Sequence, residues 1–422
     1  MKRETWCCLI LLLVTGCAAL GASGAPGVAP TAVEQPVTAT PDVAYVRQME
    51  STPESRAIPT ASAEERRQAS ETRLYLHAFD DGEVSVVDPA SGRRLHAIPV
   101  RGQFPGVAVA PDGSRLYLLD GPSAGQLRVL DTRTWQAVHE EPVEDRALPL
   151  FGNPLTLPGD GRWLFVDHYS YEREEAWISI FDTERPRFLT AEEAPAARRL
   201  APCPRPVRVV GQPGHTRLYA ACGHTLLALD AERLTVLWEA PVSSSQSPEL
   251  ALSADGTRLY SMSPLVQIDY GRDGFGRVAS TDLQLLVWDA ATGTELDRLQ
   301  LSEEIVVPKA TIGRGDRVYL AVAPDGRRLF VAWEDRLWAL SAGTHQPIGE
   351  IELPAAVDGL AASADGEELY LLPATAGDLI VRGRGLWTVD VQSLRLVRRA
   401  EDWPENLLVP VFQAAPAPAL GE

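Results

Sequence analysis

The chain is short of the residues that build reactive centres. Seven histidines and five cysteines are spread over 422 residues, with no HExxH, no CxxCH and no phosphate-binding glycine loop. Those absences remove zincin, c-type haem and P-loop chemistry from consideration. A serine-hydrolase nucleophile elbow is not expected either. Long apolar runs are lacking too: the longest, Trp6 to Val14, has nine residues, too few to cross a bilayer as a helix. Basic residues are outnumbered, 39 Lys and Arg against 57 Asp and Glu, for a formal net charge of −18. That balance argues against a nucleic-acid backbone or an anionic lipid surface as partner, and reads as plain solubility.

What the chain has is a repeat. A Leu-aromatic step occurs at Leu74-Tyr75, Leu116-Tyr117, Leu164-Phe165, Leu218-Tyr219, Leu259-Tyr260, Leu329-Phe330 and Leu369-Tyr370. The spacings are 42, 48, 54, 41, 70 and 40 residues, and the shortest match a four-stranded propeller blade. Most copies are followed by an apolar residue and a short polar one, as in Val87-Asp88, Leu130-Asp131 and Val389-Asp390. Most are preceded by a tight turn: Asp112-Gly113, Asp160-Gly161, Asp255-Gly256, Asp325-Gly326 and Asp365-Gly366, with Pro213-Gly214 in the remaining slot. Glycine accepts positive φ at such a turn and aspartate hydrogen-bonds nearby backbone N–H groups. A site residue is needed once and a turn residue in every blade, so these aspartates are expected to be turn formers.

The stretch GVAVAPDGSRLYLL (106–119), followed by LRVLDTRT and a closing strand, resembles the YVTN-type repeats of seven-bladed β-propellers. It is also similar to the wider group that contains quinoprotein amine dehydrogenase propellers. The resemblance covers residues 73–412 and implies an all-β fold: seven four-stranded antiparallel blades, closed by a C-terminal strand. Such propellers serve as lactonases, electron-transfer subunits, binding modules and scaffolds, so the resemblance leaves the activity open.

Lys2 and Arg3 precede the apolar run, and Val14-Thr15-Gly16-Cys17 looks like a bacterial lipobox. Residues 1–16 are therefore expected to be a signal peptide and Cys17 the lipid-bearing first residue. That places the protein in the bacterial cell envelope, on the extracytoplasmic side of a membrane. Residues 17–72 are rich in Ala, Pro, Gly and Thr, a tether composition, with one short capped helix possible over Ser62–Gln68. The missing inner strand of the first blade is expected from Asn406 to Phe412, which leaves 413–422 as a disordered tail.

Long excursions fall between second and third strands (169–175, 261–282, 373–385) and between outer and next inner strands (143–153, 190–204, 302–317). In an up-and-down blade these connections share one end, so a ligand or protein partner is expected there. The candidate contacts are His168, Tyr169, Tyr171 and Arg173 in one loop, Asp269, Tyr270, Arg272 and Asp273 in a second, and Arg382 and Arg384 in a third. Asp269 to Gly274 starts like a calcium loop, but Gly271 and Ser280 hold the third and twelfth positions, where carboxylates belong. No metal, cofactor or catalytic residue is expected.

Cys203 and Cys222 remain for an oxidising compartment. If the hairpin between them centres near Gln212-Pro213, facing residues have numbers summing to about 425, which sets the two cysteines opposite each other as a disulfide. The leading expectation is a monomeric, non-catalytic binding or scaffold module; the alternatives are a lactonase-type hydrolase and a non-catalytic subunit of a periplasmic redox enzyme.

Overall fold

The computed structural model describes residues between Thr72 and Pro416. Residues 1–71, 78–81, 102–105, 122–124, 144–152, 159–160, 171–174, 191, 194–207, 212–216, 223, 231, 234, 243–247, 271–275, 302–317, 364, 374–384, 401–410 and 417–422 lie outside the description. The short helix expected over Ser62–Gln68, the signal peptide and the tether fall among them.

Among the described residues every element is a strand, and the strands form seven four-stranded antiparallel sheets. The chain is a seven-bladed β-propeller. Blade 2 shows the plan: inner strand Gly106–Val109, second Arg115–Asp120, third Gln126–Asp131 and outer Ala137–Pro142. Each Leu-aromatic step begins a second strand and packs between sheets. Tyr117 and Leu119 of blade 2 share one core with Leu164 and Phe181 of blade 3, as aromatic and branched residues do on a pleated surface.

The inner strands of blades 3 to 7 are Leu155–Thr156, Arg208–Gly211, Glu249–Leu252, Val318–Val322 and Val357–Ala362. Each packs on the next, and Val411–Pro416 packs on the inner strands of both blade 7 and blade 2. That C-terminal strand is the inner strand of blade 1, paired with Thr72–His77 from Thr72↔Pro416 to His77↔Val411. Closure by a C-terminal strand is therefore as expected, but the strand begins at Val411 and takes in residues assigned to the tail. Pro410 precedes it and Pro416 ends it, so neither proline interrupts the ladder.

The lower end of the disc, where inner strands run into second strands, is closed by tight turns. Gly113 takes φ 69° and donates its N–H to Ala110 O at 2.8 Å, while Asp112 Oδ1 accepts from Ser114 N at 2.9 Å. Asp255, Asp325 and Asp365 accept in the same way from the N–H two residues on. Asp112, Asp255, Asp325 and Asp365 are therefore turn formers, and Asp160 lies outside the described residues.

Third and outer strands join at the same end. Asp131, Asp182, Asp230 and Asp289 each accept from the N–H groups two and three residues ahead. The fourth residue after the turn's first residue is left-handed at Gly92, Trp135, Gly293, His345 and Leu394. A β-bulge follows in blades 1, 2, 4, 5, 6 and 7. Val138, Leu237, Leu296, Ile348 and Val397 stand at the bulge, 45% to 54% exposed.

In blades 1, 4, 5, 6 and 7 the outer-strand residue beside the bulge reaches the third-to-outer turn of the following blade. His96 stacks on Trp135, centroids 4.6 Å apart. Trp238 lies over Gly293, where a Cβ would come within 2.6 Å of its ring. His345 Nδ1 donates to Asp297 Oδ2 at 2.8 Å. Leu394 sits over Gly349, leaving no room for a Cβ, and Arg398 donates to Pro89 O at 2.9 Å.

Candidate functional site

The upper end carries the long connections and differs from blade to blade. Among the described residues its tallest feature is on blade 5, whose second and third strands, Arg258–Tyr270 and Gly276–Asp289, run 13 and 14 residues. The corresponding strands of blades 1, 2, 4 and 6 have six. Pairing continues unbroken from Arg258↔Asp289 to Tyr270↔Gly276, with one bulge at Gln267. The inner strand stops at Glu249↔Met262 and the outer at Gln284↔Gln300. Beyond them Ser263–Tyr270 and Gly276–Leu283 continue as a two-stranded ribbon, about 25 Å long at about 3.3 Å per residue. The excursion expected as a loop from 261 to 282 is therefore mostly strand. Its β-branched residues, Val266, Ile268, Val278 and Thr281, are the physical reason.

Blade 6, beside it, is low. Its second and third strands, Arg328–Trp333 and Arg336–Ser341, are joined by Glu334-Asp335 alone, and residues 353–356 lead from its outer strand to blade 7. Asp335 and Glu352 are exposed there. Below the ribbon, Met262, Leu283 and Leu285 of blade 5 pack in one core with Val331 and Trp333 of blade 6.

Two polar anchors brace the upper end near blade 2. Arg128, in the third strand, makes a two-pronged ion pair with the fully buried Asp120, and donates to Pro99 O at 2.7 Å. Arg101 N–H donates to the same carboxylate at 3.1 Å. Asn153 Oδ1 accepts from Val107 N at 2.9 Å and its amide donates back to Val107 O. Reading the sequence missed both anchors; each is a one-off pairing set by strand register.

The expected contact residues divide. His168 and Tyr169 belong to the second strand of blade 3, Trp163–Ser170, opposite Trp177 and Ala176. His168 is 2% exposed, its ring stacked on Trp177 at 5.0 Å, so it is a packed strand residue and not part of a loop. Asp269 and Tyr270 end the ribbon opposite Arg277 and Gly276. Tyr171, Arg173, Arg272, Asp273, Arg382 and Arg384 lie outside the described residues, as do Cys17 and Cys203.

Cys222 ends the second strand of blade 4, opposite Thr225. In that blade Val209 faces Ala220 and Gly211 faces Leu218, so facing numbers sum to 429 and not 425. The direct opposition of Cys203 and Cys222 argued from the sequence is thus removed, and their pairing itself falls outside the described residues.

Among the described residues no group of three or more His, Cys, Asp and Glu could hold a metal ion. Gly121-Pro122-Ser123-Ala124-Gly125 spells the GxSxG pattern, which the sequence reading passed over. It joins two antiparallel strands of blade 2, Arg115–Asp120 and Gln126–Asp131, and so lacks the strand-to-helix turn that an elbow needs.

No family model and no curated protein matches the chain. Solved structures do. A functionally unknown protein from Desulfotomaculum acetoxidans DSM 771 has 11% identity and a TM-score of 0.55, over 82% of this chain and 99% of that one. Hydrazine synthase of Kuenenia stuttgartiensis has 16% identity and a TM-score of 0.50, over 71% and 89%. Dihydro-heme d1 dehydrogenase NirN, in complex with DHE, has 14% identity and a TM-score of 0.46, over 86% and 77%. At such identities the likeness is one of fold.

Proposed function

We propose that the protein is a lipid-anchored, extracytoplasmic binding or scaffold module of the bacterial cell envelope. It engages a protein or small-molecule partner through the upper end of its propeller and performs no catalysis. The observation that carries this reading is the asymmetry of the disc. Short turns tied to neighbouring blades close the lower end, whereas the extended ribbon and the long connections share the upper end. Binding residues concentrate on such elaborations of a rigid scaffold. The lipobox-like sequence ending at Cys17 and the YVTN-type repeats support the envelope setting.

Photo-crosslinking in the native envelope tests the binding face. A photoreactive residue at Tyr169, Asp269 or Glu352 is expected to give partner adducts, and one at Asp112 or Asp325 none. Adducts from the lower positions alone would refute the assignment. Cys17→Ser is expected to release the protein from the membrane fraction or block its processing. Normal processing with unchanged retention would refute the anchor. Elemental analysis separates this reading from a lactonase-type hydrolase, which a stoichiometric bound metal would favour.

A further inference from the structure

Blade 6 meets blade 5 at the lower rim through one ionisable ring. His345 is 7% exposed and holds the left-handed position of its turn, where blades 1, 2, 5 and 7 place Gly92, Trp135, Gly293 and Leu394. Of these five side chains only an imidazole exchanges a proton in mildly acid water. Its Nε2 lies 3.0 Å from Arg258 Nη1, and its Nδ1 lies 2.8 Å from Asp297 Oδ2. A guanidinium can only donate, so Nε2 accepts and the ring's single proton is on Nδ1, donated to Asp297. The relay leaves blade 5 at Arg258, passes through blade 6 and returns to blade 5 at Asp297.

Arg258 is tied to the backbone of blade 6 as well. Its Nη1 donates to Ala342 O at 2.8 Å and to Gly343 O at 3.2 Å. The Tyr260 hydroxyl reaches Ala342 O at 3.3 Å, and its ring meets the imidazole edge-on, centroids 6.0 Å apart. Asp297 and Arg258 are the charged groups facing the imidazole. Burial pushes the Tyr260 hydroxyl up, so it stays neutral, and Asp255 faces Arg258 from the turn before it.

We infer that His345 is a proton-operated latch on the junction of blades 5 and 6, closed while the ring is neutral. A proton taken from solvent onto Nε2 removes the lone pair that Arg258 uses and leaves an N–H pointing at a guanidinium. Arg258 then withdraws toward Asp255 and gives up Ala342 O and Gly343 O, while Asp297 keeps the Nδ1 proton. The core shared by Tyr260, Val287, Leu329 and Leu340 holds the two blades together, so the change is confined to the rim. The latch lies at the end of the disc opposite the proposed binding face and does not depend on that reading.

Two measurements on the full chain test it between about pH 8 and about pH 5. In protein labelled with 15N-histidine, the ring signals that His345→Gln removes should show a protonated Nδ1 and a bare Nε2 at the upper pH. Asp297→Asn removes the charge that favours the imidazolium and should move the midpoint of the ring's change to lower pH. Arg258→Gln removes the charge that opposes it and should move the midpoint to higher pH, each by about half a pH unit or more. Hydrogen exchange, corrected for its intrinsic pH dependence, reads the turn itself. Protection at Ala342 and His345, whose N–H groups donate to Arg327 O and Ser341 O, should fall about threefold or more in the parent. It should stay level in His345→Gln and in Arg258→Gln, so that either variant serves if the other fails to fold. An Nε2–H tautomer at the upper pH, midpoints that move the same way in both charge variants, or an exchange profile shared by parent and variants would each overturn the latch.

Discussion

Single residues set the acid limit of this fold. Asp255, Asp289, Asp365 and Asp390 are held below the usual carboxylate range, first by the hydroxyls of Ser253, Thr292, Ser363 and Ser393 and then by backbone N–H groups of their turns. Asp255 is brought down to about 2. A carboxyl whose pKa is lower folded than unfolded adds stability above its unfolded value, and that stability is lost as pH falls through the folded one. The melting temperature should thus hold steady down to about pH 5 and drop between about pH 4 and pH 2. Ser393→Ala, which removes a hydroxyl 2.6 Å from Asp390, should melt lower at pH 7 and converge on the parent at pH 2. Thermal melts at three pH values decide it; a constant gap between the two proteins would refute the cause. These aspartates were legible in the sequence because they recur. Asp120 and Arg128 were not, since each occurs once and only the register of the second and third strands brings them together.

Elements meet through paired knobs and sockets on the lower rim. In blades 2, 6 and 7 a large residue accepts a left-handed backbone, Trp135, His345 and Leu394, at a cost of about 1–2 kcal/mol each. Each is matched to the preceding blade: a flat imidazole for Trp135, a carboxylate for His345, a glycine for Leu394. Gly349→Ala should therefore cost about 1–3 kcal/mol, the usual penalty for overfilling a packed contact. Adding Leu394→Ala should return part of the loss. Denaturant melts of the two single variants and the double variant measure the coupling, and strictly additive losses would mean that the two residues do not meet. The hairpin of blade 4 shows where element boundaries were readable and where they were misread. Leu218 follows Gly211 by the same seven residues that separate Leu116 from Val109, so Pro213-Gly214 stands in the places of Pro111-Asp112. Centring the turn on the proline displaced the register by four. The ribbon of blade 5 was hidden for another reason: its strands outrun the repeat that announced them.

At the scale of the whole molecule the ring depends on its last strand. Val411–Pro416 gives blade 1 its inner strand and touches the inner strands of two neighbouring blades. Ending the chain at Glu405 should lower the melting temperature by about 10 °C or more, given roughly 2 °C per kcal/mol in a domain of this size. A truncated protein that melts within two degrees of the parent would show that the ring closes without it. The bulges of the outer strands matter beyond the single molecule. A regular outer strand would offer each disc seven open ladders, and discs crowded side by side could zip together rim to rim. Here six of those ladders are broken at the bulge and the seventh, Arg187–Phe188, has two residues. The exposed aliphatics mark the breaks, so the apolar surface of the rim stands where edge-to-edge pairing between discs is interrupted.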